Sequence, residues 1–163
     1  MRARFAALVV VAAIAANCGG DGGSSGSSSG GSSSPTSPSG STSPQGLEGT
    51  WKATKAEFVS SANSSKRTDV VAQGTTVTLA LTGSSFVYTI ADPGKPPNVT
   101  SGTWTSSRDT MALKPNGVTW SWQFDMTQSG NNLTLNGASV EFDFAANGVF
   151  EQAKLYMALV RQG

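Results

Sequence analysis

From Leu47 onward the chain alternates between apolar and polar positions. Trp120, Trp122, Phe124 and Met126 take every second place, with Thr119, Ser121, Gln123 and Asp125 between them. A period of two puts one set on one face of a strand and the other set on the opposite face. Val77, Leu79 and Leu81 alternate with Thr76, Thr78 and Ala80, and Phe86, Tyr88 and Ile90 repeat the pattern after Thr82-Gly83-Ser84. Leu133 and Leu135 follow Gly130-Asn131-Asn132, residues that tolerate positive φ at a hairpin turn. Val140, Phe142 and Phe144 alternate with Glu141 and Asp143, and Leu155, Met157 and Leu159 close the series.

Turn chemistry separates these runs: Asp92-Pro93-Gly94, Pro96-Pro97-Asn98, Pro115-Asn116-Gly117 and Ala146-Asn147-Gly148. The pattern predicts eight strands, over residues 47–59, 75–81, 85–91, 99–106, 110–114, 118–127, 132–135 and 154–161. Residues 139–144 either extend the seventh strand or form another. Residues 148–153 read as a short helical turn, and 60–69 as a mobile loop. Short alternating strands at regular spacing predict an all-β fold, an antiparallel sandwich or barrel, over residues 47–163.

Before Leu47 the pattern is different. Arg2 and Arg4 precede an uncharged apolar run from Phe5, which ends in Ala15-Ala16-Asn17-Cys18. A positive start, an apolar middle and small residues at the end have the form of a secretory signal. The run is too short to span a bilayer as a helix. Residues 19–46 are nearly all Gly, Ser, Thr and Pro. Such a segment buries too little to offset the entropy of ordering, so it reads as a disordered linker. As a flexible coil it reaches on the order of 30 Å.

Removal of residues 1–17 would leave nine basic against ten acidic side chains, with no cluster of one sign. A nucleic-acid partner needs a basic stripe, and none is present. The chain has one cysteine and no histidine. No intrachain disulfide can form, and Ser-His-Asp or Cys-His catalysis and zinc sites built on Cys or His are excluded. No cofactor and no metal is expected, nor an enzyme. Glu141 and Asp143 alternate with phenylalanines, which predicts that both carboxylates face solvent. The triplets beginning at Asn63, Asn98 and Asn132 fit a glycosylation acceptor and read as chance in a chain rich in Ser and Thr.

Two resemblances add to this reading. A cysteine directly after small residues resembles the lipobox of bacterial lipoproteins. That resemblance implies cleavage after residue 17, a lipid such as palmitate on Cys18, and a lipid-anchored place in the cell envelope, at the outer membrane. Gly49-Thr50-Trp51 in the first strand, Arg161 in the last, a second Gly102-Thr103-Trp104 and Asn132-Leu133-Thr134-Leu135 resemble the small bacterial lipocalin-like lipoproteins. That group implies an up-and-down eight-stranded barrel. Trp51 then plugs the closed end beneath Arg161 in a cation–π pair.

The implied function is binding of a small hydrophobic ligand by a monomer, with Phe86, Tyr88, Trp120, Trp122 and Met157 as candidate lining. The alternative is a ligand-free structural or protein-interaction domain of the envelope. A packed interior is the simpler use of the same rings, because an eight-stranded barrel is just wide enough either to fill with side chains or to hold one small ligand.

Overall fold

The computed structural model describes residues 46–163. The proposed signal segment (1–17), Cys18 and the linker up to Gln45 lie outside the described residues. Within them the chain is all-strand: β1 Gly49–Ser60, β2 Arg67–Asp69, β3 Thr76–Thr82, β4 Ser85–Ala91, β5 Asn98–Ser107, β6 Thr110–Pro115, β7 Trp122–Ser129, β8 Asn132–Phe142 and β9 Glu151–Arg161. From β3 to β9 each strand pairs antiparallel with the next, β1 pairs with β3, and β9 returns to β1. Eight strands therefore close on themselves as an up-and-down barrel. Closure leaves those strands without a free edge along most of their length. β2 is a short addition that pairs with Glu57–Val59, farther along β1 from the stretch that pairs with β3.

Alternation turns one face of every strand into the core. Val77, Leu79 and Leu81 from β3, Met111 and Leu113 from β6, and Leu133 and Leu135 from β8 are all buried. Each large side chain buried in this way contributes about 1.5–3 kcal/mol of transfer free energy.

Two strands change phase midway. In β1 the inward positions run Trp51 and Ala53, then Ala56 and Phe58, with a register shift between Ala53 and Lys55 against β9. Thr54 is the extra residue, and its hydroxyl donates to Ala158 O at 3.2 Å. In β8 the inward positions run Leu133 and Leu135, then Ala138. The shift lies between Asn136 and Ala138, at Gly137 with φ +85°. Both are β-bulges, which flip the side-chain phase and sharpen the bend of a strand.

The structure decides one choice between two readings and corrects four expectations. It bears out the first reading of residues 139–142: they extend the strand that starts at Asn132, through its bulge. Residues 148–153 hold no helical turn: β9 starts at Glu151, which pairs with Phe142. The segment 60–69 contains β2. Asp69 Oδ1 holds that strand by accepting from Ala56 N at 3.2 Å and Val71 N at 3.1 Å. The strand predicted from residue 118 begins at Trp122, because the β6 ladder ends at Leu113 opposite Trp122 and residues 118–121 have no strand neighbour. Asp143 does not face solvent; its burial is described with the site below.

One glycine in the wall is required by contact alone. A Cβ on Gly102 would lie 2.0 Å from Lys114 O and 2.8 Å from the Phe86 ring. The ring of Phe86 covers the space that Gly102 leaves open. Gly102→Ala is expected to destabilise the barrel by about 1–3 kcal/mol, the usual cost of overpacking. Urea denaturation of the full chain measures it.

Candidate functional site

The barrel has two unlike ends. The closed end holds the turns β3–β4, β5–β6 and β7–β8 and the start of β1. Here Trp51 is fully buried, and its Nε1 donates to Leu47 O at 2.8 Å. Arg161 stands directly opposite Trp51 in the β1–β9 ladder, with its guanidinium carbon 4.4 Å from the centroid of the indole. The same guanidinium donates to the carbonyls of Glu48 and Gly46. Gln128 Nε2 also donates to Gly46 O, at 2.9 Å. Gly49 leaves room for this arrangement: a Cβ there would lie 2.8 Å from the Arg161 guanidinium, and its φ is +130°. Indole and guanidinium thus both have partners, and together they cover this end.

The opposite end holds the β4–β5, β6–β7 and β8–β9 connections. Phe86 and Tyr88 on β4 are buried and face inward, as does Met157 on β9. Trp122, at the start of β7, is partly buried. Its ring meets Tyr88 edge-on at 5.8 Å and Phe86 at 6.4 Å. Trp120 does not line the interior. It sits in the β6–β7 connection, 48% exposed, against Trp122 at 5.8 Å. The structure therefore brings Phe86, Tyr88 and Trp122 together, places Trp120 at the rim, and puts Met157 across the sheet beside Leu135.

The Tyr88 hydroxyl is buried and has no hydrogen-bond partner. Burial also pushes its pKa well above the usual phenol value, so it remains a proton donor. Trp104 Nε1 and Ser106 Oγ on β5 are likewise buried and unpartnered. Orphaned buried donors are rare in folded proteins, because each forfeits its bond to water.

On the β1–β8–β9 side of the same end, Phe58 stacks on Phe142 at 4.0 Å and Phe142 meets Phe144 edge-on at 4.9 Å. Lys66 lies over Phe144, 5.1 Å from its centroid, and pairs with Glu151. Asp143, between the two phenylalanines, is 6% exposed. Its carboxylate accepts from the backbone N–H of Ala145 at 3.2 Å, Asn147 at 3.3 Å and Gly148 at 2.7 Å. Burial works to raise its pKa; the N–H groups of Gly148, Asn147, Ala145 and Ala146 outweigh this and hold the carboxyl below its ordinary value. The sequence signal for this role was the turn Ala146-Asn147-Gly148 directly after the aspartate, where Asp commonly accepts from the backbone.

A further feature lies outside the lumen. A groove of about 320 Å³ opens in the wall between β7 and β8, next to Asp125, Asn136 and Gly137. None of Phe86, Tyr88, Trp120, Trp122 and Met157 lines it. Neither charge patterning nor periodicity marked it in the sequence. Among the described residues, no group of three His, Cys, Asp or Glu side chains is placed to hold a metal ion.

Two measurements test these assignments. Trp51→Ala is expected to cost about 3–5 kcal/mol, the range for removing a buried aromatic. Arg161→Ala is expected to cost about 0.5–2 kcal/mol, the range of a cation–π pair. Equilibrium denaturation reads both. The second concerns acid. The folded-state pKa of Asp143 is lowered, so its contribution is complete above the unfolded value of about 3.9 and is lost as pH falls through the lower folded value. Asp143→Asn is expected to reduce the denaturation midpoint at neutral pH. The gap from the parent protein is expected to narrow steadily on acidification below the unfolded value.

The comparisons with known proteins agree with this geometry. A family model for a lipocalin-like domain matches residues 47–135, from the buried Leu47 under Trp51 to the first half of β8. No curated protein and no solved structure matches the chain. The match covers more than half of the chain, and the barrel closes as such a domain requires: the chain belongs to the lipocalin-like domain family.

Proposed function

We propose that this chain is a bacterial envelope lipoprotein whose barrel binds a small, mostly apolar molecule at its open end and catalyses no reaction. In this reading residues 1–17 are removed on export, Cys18 carries the lipid, and the linker lets the barrel work as a monomer beside the outer membrane. Two or more acyl chains give a stable anchor where one does not. The order of Arg2 and Arg4, the apolar run, the small residues and Cys18 supports this address.

The observation that carries the binding role is the Tyr88 hydroxyl. It is a buried donor without a partner, set against Trp122 and reached past the half-exposed Trp120. Apolar walls with one or a few convergent polar groups are the usual form of a small-molecule site. The ligand that fits is a largely apolar molecule with one hydrogen-bond acceptor. It accepts a hydrogen bond from the Tyr88 hydroxyl and packs against the Trp122 ring beside it. The exposed large apolar side chains are spread over several elements: Val87, Val99, Trp120, Val149 and Tyr156. No single patch among them favours a ligand-free docking domain.

Tyr88→Phe separates this reading from simple packing. Removal of an unpartnered hydroxyl is expected to leave stability unchanged or raise it by about 1 kcal/mol, because an unmet donor is costly. Native mass spectrometry of the full chain, purified from its own membranes, is expected to show an added small mass that Tyr88→Phe largely loses. A bare mass in the parent protein, or a less stable Tyr88→Phe, contradicts the binding role. Cys18→Ala is expected to abolish incorporation of labelled palmitate and to move the protein to the soluble fraction. Unchanged fractionation contradicts the anchor.

A further inference from the structure

Strand β7 exchanges partners along its length. From Trp122 to Asp125 it pairs with β6, and from Asp125 to Ser129 it pairs with β8. Asp125 alone stands in both ladders, opposite Thr110 on one side and Asn136 on the other. Past Asn136 the bulge at Gly137 turns β8 away, and from Ala138 to Phe142 β8 pairs with β9 alone. The two strands part there, and the groove of about 320 Å³ lies at the point of parting. That volume is at the lower end of the range for small-molecule sites.

The groove mixes polar and apolar surface, Phe124 included, and is close to neutral in charge. Its lining carries the hydroxyls of Thr110, Ser121 and Ser139 and the amides of Gln123 and Asn136, with one carboxylate, Asp125, and one ammonium, Lys154. Two internal bonds hold part of this set in place. Gln123 Nε2 donates to Ser121 Oγ at 2.7 Å, and Lys154 Nζ donates to Ser139 Oγ at 2.8 Å. The Asp125 carboxylate and the Asn136 amide are the register neighbours at the head of the parting, and among the described residues neither side chain is held by a hydrogen bond. A carboxylate beside a carboxamide offers both acceptors and donors, which is what hydroxyl groups need. Opposite Asn136 on β9, on the same outer face, stands Tyr156, 36% exposed. Its ring offers a flat, electron-rich face to C–H groups.

We propose that this groove binds a neutral sugar ring, with Asp125 and Asn136 gripping adjacent hydroxyls and Tyr156 packing against the ring's C–H face. The one acidic and one basic group balance, so neither a polyanion nor a polycation is favoured. The site lies outside the lumen and does not depend on a ligand beside Tyr88.

NMR titration of the full, isotope-labelled chain with D-glucose and with N-acetyl-D-glucosamine tests it, and glycine serves as a zwitterionic control. At least one sugar is expected to give saturable shifts at Asn136, Gly137 and Ser139 with millimolar affinity. Asp125→Ala and Tyr156→Ala are each expected to weaken it about tenfold, or roughly 1.4 kcal/mol. Both positions are on the outer face, so the thermal midpoint is expected to stay within a few degrees of the parent's. Three results would overturn the proposal: no groove shifts at tens of millimolar of either sugar, equal or stronger shifts with glycine, or sugar shifts confined to Tyr88 and Trp122. Affinities unchanged in both variants would overturn it as well.

Discussion

The barrel depends on β1 meeting β9. Without that ladder the sheet would keep two long edges, each a row of unpaired backbone groups. The seam is locked where the chain enters it. Leu47 O takes the Trp51 N–H, the Arg161 guanidinium covers the indole, and its remaining donors reach the carbonyls of Gly46 and Glu48. One cation thus ties the last strand to the segment before the first. It joins residues 113 and 115 positions apart in the chain.

The two ends divide the work. At the sealed end the Trp51 indole and the Arg161 guanidinium both have hydrogen-bond partners. At the other end the side nearest β1, β8 and β9 is stopped by three phenylalanines and by the Lys66–Glu151 pair. The side nearest β4 and β7 is filled by tryptophan and retains an unmet tyrosine hydroxyl. In the proposed function, stability and binding rest on different rings of the same interior. This makes the binding role separable by substitution from the fold.

Much of the barrel was legible in the sequence where the period of two is unbroken. β3, β4 and the greater part of β7 follow it closely, and so do their inward residues. It failed at the bulges. Thr54 shifts the phase in β1 and Gly137 shifts it in β8, so Leu135 and Val140 stop sharing a parity although they share a strand. A periodic reading sees two short runs there, and only the pairing with β9 joins them. Trp120 continued the parity of Trp122 yet lies outside the strand, because parity says nothing of where a neighbour ends. Asp143 continued the parity of Glu141 and is buried, because the backbone N–H groups of the following turn, from Ala145 to Gly148, gather around its carboxylate. The groove beside Asp125 depends on which strand β7 pairs with at each residue, a long-range property that no local window holds.

The uneven lengths of the ladders have a consequence for motion. β8–β9 and β1–β9 are the long seams, whereas β6–β7 and β7–β8 are short and meet at Asp125. Local opening follows the least supported hydrogen bonds. Breathing of this wall therefore starts around the first residues of β7, on the backbone that carries Trp122, while β9 and its neighbours act as the rigid spine. The ring at the mouth is mounted on the one staves' joint most ready to loosen.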